Sequence, residues 1–196
     1  MPLWGATDSD ESKPKFLTDE QKKQCFATKS GWVLENGALT GNDNANADPE
    51  ILVAIGELAT SIGAADITQI EFITTAFDKS DGGNIDVRVR FNEAVDVVTT
   101  GGTPTLAITN GNQGTGSGRG PHAAAYTSGT GTNELVFRIT LGAANAATNE
   151  DDVLVIGANA LALNSGTIKD AGKATNSTIT NIASIGTAAG SITVVA

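Results

Sequence analysis

The chain has 196 residues, 40% of them apolar and 17% charged, with 23 glycines, a net charge of −10 and a pI of about 4.4. That is long enough for one sandwich-sized domain and an extra segment, and the acidic excess repels phosphate backbones, which argues against nucleic-acid binding. A single cysteine, Cys25, excludes an internal disulfide framework; no apolar run reaches membrane-spanning length, and residues 1–8 lack the basic and apolar regions of a signal peptide.

Residues 1–48 read as an N-terminal docking arm and linker. Residues 1–32 hold five lysines and five acids, so the whole negative excess belongs to residues 33–196. Thr18-Asp-Glu-Gln21 fits a capping box and predicts a short helix from Asp19 to about Ala27, with Cys25 inside it; the rest of the segment is expected as extended arm or loop. Polar termini without a core are often solvated tails. Trp4, Phe16, Phe26 and Trp32 argue otherwise, because an arm laid across a neighbour can bury one ring in each successive pocket. These four are the candidate partner-binding residues. Residues 41–48, rich in Asn and Asp, form a linker that lacks the glycine and closing glutamate of a calcium-binding EF-hand loop.

Residues 49–66 read as a connecting strand and linker, with the apolar run Glu50-Ile-Leu-Val-Ala-Ile55 as the strand. Residues 67–196 read as a sandwich domain. A strand of uncertain register spans residues 67–77, and residues 78–83 form a hairpin-type turn in which Asp78 and Asp81 are a weak alternative for a cation. Ile85, Val87, Val89 and Phe91 then alternate with Asp86, Arg88 and Arg90, the period-two pattern of a half-buried strand. Residues 102–110 and 122–126 are further strand pieces, joined by the glycine-rich residues 110–120, which match no phosphate-binding motif and read as an exposed loop. Leu135, Phe137 and Ile139 repeat the alternation. Glu150, Asp151 and Asp152 read as a solvated turn, with calcium as the sharper alternative. Residues 153–156 and 160–163 are strand pieces, Asn164-Ser-Gly166 turns the chain into Thr167-Ile-Lys-Asp170, and Ile179, Ile182 and Ile185 lead to a closing strand at residues 191–195.

Short strands separated by Gly, Thr, Ser and Asn clusters point to an all-β fold: an immunoglobulin-like antiparallel β-sandwich preceded by an extended N-terminal arm with at most one short helix. No catalytic constellation stands out. His122 is the only histidine, Cys25 has no histidine nearby in sequence, and no two carboxylates present themselves as an acid/base couple. The reading is a non-enzyme without cofactor or metal.

Residues 91–97, 103–108, 125–137 and 161–170, from Phe91-Asn-Glu-Ala-Val-Asp-Val97 to Leu161-Ala-Leu-Asn-Ser-Gly-Thr-Ile-Lys-Asp170, resemble the immunoglobulin-like repeats of large bacterial and phage surface proteins. That resemblance implies strands and turns of one sandwich, with a longer loop at residues 110–120 than is usual there. The opening Met1-Pro-Leu-Trp-Gly-Ala-Thr-Asp8 through Leu17, with Ala27-Thr-Lys-Ser-Gly-Trp32 and Pro49-Glu-Ile-Leu-Val-Ala-Ile55, is similar to small virion structural proteins of marine tailed phages, cyanophages among them. It implies a capsid decoration or cement protein in the virion, homo-oligomeric, whose partners are the major capsid protein and neighbouring copies of itself, with no nucleic acid and no membrane. The alternative is a tail, neck or fibre component, or an adhesin-type domain that binds a host-surface ligand; the loops at residues 110–120 and 150–152 carry no aromatic ring on which a sugar could stack.

Overall fold

The computed structural model describes residues 16–38, 48–110, 121–143 and 148–196. The chain opens with helix α1 (Asp19–Lys23), set by the expected capping box: the Gln21 N–H donates to the Thr18 hydroxyl at 3.2 Å, and the Thr18 N–H donates to the Gln21 side-chain oxygen at 3.0 Å. The helix stops at Lys23 instead of running to Ala27. Cys25, Phe26, Ala27 and Thr28 form strand β1 (Cys25–Thr28), paired antiparallel with β2 (Gly31–Leu34) from Cys25 opposite Leu34 to Thr28 opposite Gly31. A hairpin ladder together with burial of Cys25 and Ala27 outweighs the modest helix preference of those residues, so Cys25 is a buried strand residue and not a helical one.

Strand β3 (Glu50–Ala54) adds to the other side of β2, and helix α2 (Leu58–Ser61) follows. β3 approaches so closely that a Cβ on Gly31 would lie 1.9 Å from the Val53 carbonyl oxygen, which makes glycine obligatory there. Leu17, Cys25, Ala27, Trp32, Leu34, Leu58 and Ile62 enclose a small core of their own. The segment expected as an extended arm is thus extended chain in its described part, but folded back as paired strands around Trp32.

The larger body comprises β4 (Ile67–Phe72), β5 (Phe77–Asp78), β6 (Gly83–Val98), β7 (Thr105–Asn110), β8 (His122–Ser128), β9 (Thr132–Leu141), β10 (Val153–Val155), β11 (Leu161–Ala162), β12 (Thr167–Asp170), helix α3 (Ala183–Ala188) and β13 (Ser191–Val195). The strands pair in one continuous path, β6, β9, β8, β7, β10, β13, β5, with β4 and β12 added on β6 and β11 on β7. Pairing between named strands is antiparallel except for β5 beside β13 and β1 beside β6. The fold is all-β, and no helix among the described residues is long and apolar enough to cross a membrane.

Register follows the period-two pattern. Ile85, Val87 and Val89 of β6 stand opposite Ile139, Phe137 and Leu135 of β9, so the apolar residues share one face and fill the main core with Phe91, Leu106, Ile108, Leu154, Ile192 and Val194. Asn164 and Ser165 turn the chain into β12 with left-handed φ angles of 48° and 68°, and the Asn164 amide donates to the Thr103 carbonyl at 3.2 Å. The stretch leading to β13 contains helix α3, which the isoleucine spacing did not announce; Ile179 and Ile185 pack on the main core while Ile182 stays exposed.

The two cores meet along β6. Its ladder to β9 is interrupted between Arg90 and Val95, and there β1 runs parallel beside it with Ala27 opposite Glu93. Residues from Val89 to Glu93 are consequently buried in succession, polar ones included. Asn92 accepts the Asp66 N–H at 2.8 Å through its side-chain oxygen, and the carboxylate of Glu93 lies 3.7 Å from the Lys173 ammonium.

Separate cores predict separable losses. Phe137→Ala should cost about 3–5 kcal/mol and unfold the sandwich, whereas Trp32→Ala should cost a similar amount in the small core and leave the sandwich transition in place. Urea denaturation followed at both units tests this, and a single shared transition lowered equally by both substitutions would contradict it.

Candidate functional site

The outward faces of β4, β6 and β9 carry a cluster of charge, and the N-terminal unit folds over it. Arg90 donates through Nε to Glu134 Oε1 at 2.6 Å, lies 3.2 Å from Glu35 Oε2 and 3.4 Å from Glu71 Oε1, and donates through Nη1 to the Gln69 oxygen at 2.6 Å. Arg88 donates through Nε to Glu71 at 2.6 Å and lies 3.1 Å from Glu134 Oε2. Glu35, just after β2, also accepts from the Asn133 amide at 2.8 Å. Beside this cluster lies a cleft of about 780 Å³, lined by Gln24 and Phe26 from the N-terminal unit and by Arg88, Arg90, Asn133 and Glu134 from the sandwich.

Three carboxylates face two guanidiniums. Burial of Glu35, opposed by Arg90 and reinforced by the hydrogen-bonded carboxyl of Glu134, raises its pKa to about 7. Burial also works to raise Glu134, but Arg90 and Arg88 outweigh it and hold that carboxyl below the ordinary range. Both arginines are committed to carboxylates, so the cleft presents shape and neutral hydrogen-bonding groups more than free cationic charge.

A second polar cluster closes one end of the sandwich. The Thr148 hydroxyl lies 3.1 Å from His122 Nε2, and Asp152 accepts from the Asn110 amide and the Asn149 N–H, both at 2.7 Å. Burial pulls the His122 pKa down, against the opposing charge of Asp152. Threonine, histidine and aspartate are the parts of a nucleophilic triad, but Thr148 is wholly buried and offers no substrate a way in. The arrangement holds β7, β8 and β10 together.

Of the four aromatic residues expected to bind a partner, Trp4 lies outside the described residues. Phe16 is 68% exposed, Phe26 is 8% exposed at the cleft, and Trp32 is 1% exposed within the small core. The fold therefore brings Phe26 and Trp32 into the chain's own interior and leaves Phe16 as the ring at the surface. Asp78 accepts from the N–H and hydroxyl of Ser80, both at 2.7 Å, a turn-forming role that holds its carboxyl below the ordinary range; Asp81 follows it in the same turn. Glu150 and Asp151 are exposed whereas Asp152 is buried, so these three carboxylates do not converge; among the described residues no group of three or more candidate ligands is placed to hold a metal. Residues 41–47 and 111–120 lie outside the described residues.

No family model, curated protein or solved structure matches the chain. Sequence reading placed Arg88 and Arg90 on the polar face of their strand but did not join them to Glu134. The signal was there: Asp86 opposes Arg138 and Arg90 opposes Glu134 across β6 and β9, opposite charges at matched positions of two alternating runs. Glu35 carried no such signal.

His122 gives this end of the sandwich a pH dependence. With its folded pKa below the ordinary 6.5, its contribution is present above that value and is lost as pH falls through it. The expected result is a melting temperature that declines from about pH 7 to pH 5, with a shallower decline in His122→Gln. Parallel curves for the two chains would contradict the assignment.

Proposed function

We propose that the chain is a virion structural protein, a capsid decoration component whose N-terminal unit docks on the major capsid protein or a neighbouring copy while the acidic sandwich projects outward. The observation that carries this reading is a pair of exposed apolar side chains on the N-terminal unit. Phe16 and Ile51, 68% and 55% exposed, both belong to it, Ile51 lying on β3; Ile73, Val98, Ile182 and Val195 are exposed elsewhere, and the acidic charge is shared, with six acids and no base in residues 33–66 and eleven acids against seven bases in residues 67–196. Large apolar side chains left in water next to a folded hairpin are what a docking surface supplies, and an acidic body keeps the remaining surface soluble. Strand β3 adds a sheet edge beyond which no further strand pairs among the described residues. A shell of many equivalent sites multiplies a contact that is weak on its own.

Co-sedimentation of the purified chain with undecorated phage heads tests the proposal. Saturable binding is expected, weakened roughly tenfold by Phe16→Ser and again by Ile51→Ser, about 1.4 kcal/mol for each. Absence of binding by the folded chain, or variants that bind as well as the unaltered protein, would overturn it.

A further inference from the structure

The ties between the N-terminal unit and the sandwich are few. Among the described residues they include the parallel pairing of β1 with β6 at Ala27 and Glu93, the Lys173 ammonium reaching the Ala59 carbonyl and Glu93, and the contacts of Glu35 with Arg90 and Asn133. The cores on either side do not merge. A change at Glu35 therefore acts directly on the contacts between the unit and the sandwich.

We propose that the Glu35–Glu134 carboxyl pair is a proton-operated latch: with one proton held between them the N-terminal unit is fastened to the sandwich, and when that proton leaves the unit loosens. The groups around the pair fix the charge count. β6 supplies Arg88 and Arg90, β4 supplies Gln69 and Glu71, β9 supplies Asn133 with Glu134, and from the N-terminal unit Gln24 accepts the Glu35 N–H at 3.1 Å. The other side chains lining the cleft are uncharged. With Glu35 protonated, two carboxylates balance two guanidiniums, and the neutral carboxyl donates to Glu134 while still accepting from Asn133 and Arg90. With Glu35 ionised, a third negative charge stands beside that of Glu134 around the same Arg90 guanidinium, 3.2 Å and 2.6 Å from its nitrogens, in a site partly closed to water. Because the folded pKa of Glu35, about 7, lies above the ordinary 4.5, its stabilising contribution is complete below the ordinary value and is lost as pH rises through 7. The latch is fastened in mild acid and released in mild alkali.

Amide hydrogen exchange of the full-length chain at about pH 6 and about pH 8.5, corrected for the intrinsic pH dependence of exchange, reads the latch directly. Protection of seam amides around Ala27 and Glu93 should fall about tenfold or more at the higher pH, while amides around Val87 and Leu135 in the main ladder keep theirs. In Glu35→Gln, which keeps one acceptor oxygen and a donor toward Glu134 and has no proton to lose, seam protection should be the same at both pH values. Glu134→Gln leaves two carboxylates to two arginines and should also be insensitive, so it decides the matter if the first variant fails to fold. Unchanged seam protection in the unaltered chain, or a loss in either variant as large as in the unaltered chain, would overturn the proposal.

Discussion

Strand β6 is the constraint on which the rest depends, because it is buried from two directions. Its inward side chains, Ile85 to Phe91, complete the main core against β9. Its outward side is covered first by an arginine–carboxylate cluster and then by strand β1. A sixteen-residue strand with one wet face would be an ordinary sandwich strand; this one is irregular between Arg90 and Val95 and dry on both faces from Val89 to Glu93. Burying the polar groups in that dry stretch is costly unless they are matched; Asp66, Glu35, Glu134 and Lys173 supply partners, while the Asn92 side-chain nitrogen is buried with no hydrogen-bond partner among the described residues.

Charge at such a seam acts more on specificity than on stability. Desolvating Arg90 and its carboxylates costs much of what their attraction returns, so the cluster adds little net free energy relative to an apolar contact of equal volume. What it supplies is register: Arg90 reaches Glu134 on β9 and Glu35 from the N-terminal unit together only when both are in place. The third carboxylate then makes the arrangement responsive to protons, which an apolar seam would not be.

Much of the sandwich was legible from local pattern. The alternations through Ile85–Phe91 and Leu135–Ile139 have one good solution, since a slip by one residue would put arginine and aspartate into the core. The capping box at Thr18 and Gln21 is equally local. What local pattern missed depends on distant partners. Cys25, Phe26 and Ala27 are each acceptable in a helix, and only pairing with residues 32–34 makes them a strand. Trp32 announces that it needs burial but not by whom; the strand order shows that its own hairpin, Leu58 and Ile62 bury it. Glu35 is one acid among many until β9 brings Asn133 and Glu134 up to it. Which apolar groups stay at the surface is legible only after the fold has taken Phe26 and Trp32 inward and left Phe16 and Ile51 outside.

The account stands on the N-terminal unit being paired to β6 and not merely tethered beside it. Through-space NMR contacts in the full-length chain are the direct test. Backbone contacts from Ala27 to residues 92–94, alongside those of Cys25 to Leu34 within the hairpin, are the predicted result. Intact hairpin contacts with none reaching β6 would show two bodies on a string, and the shared strand at the centre of this account would be wrong.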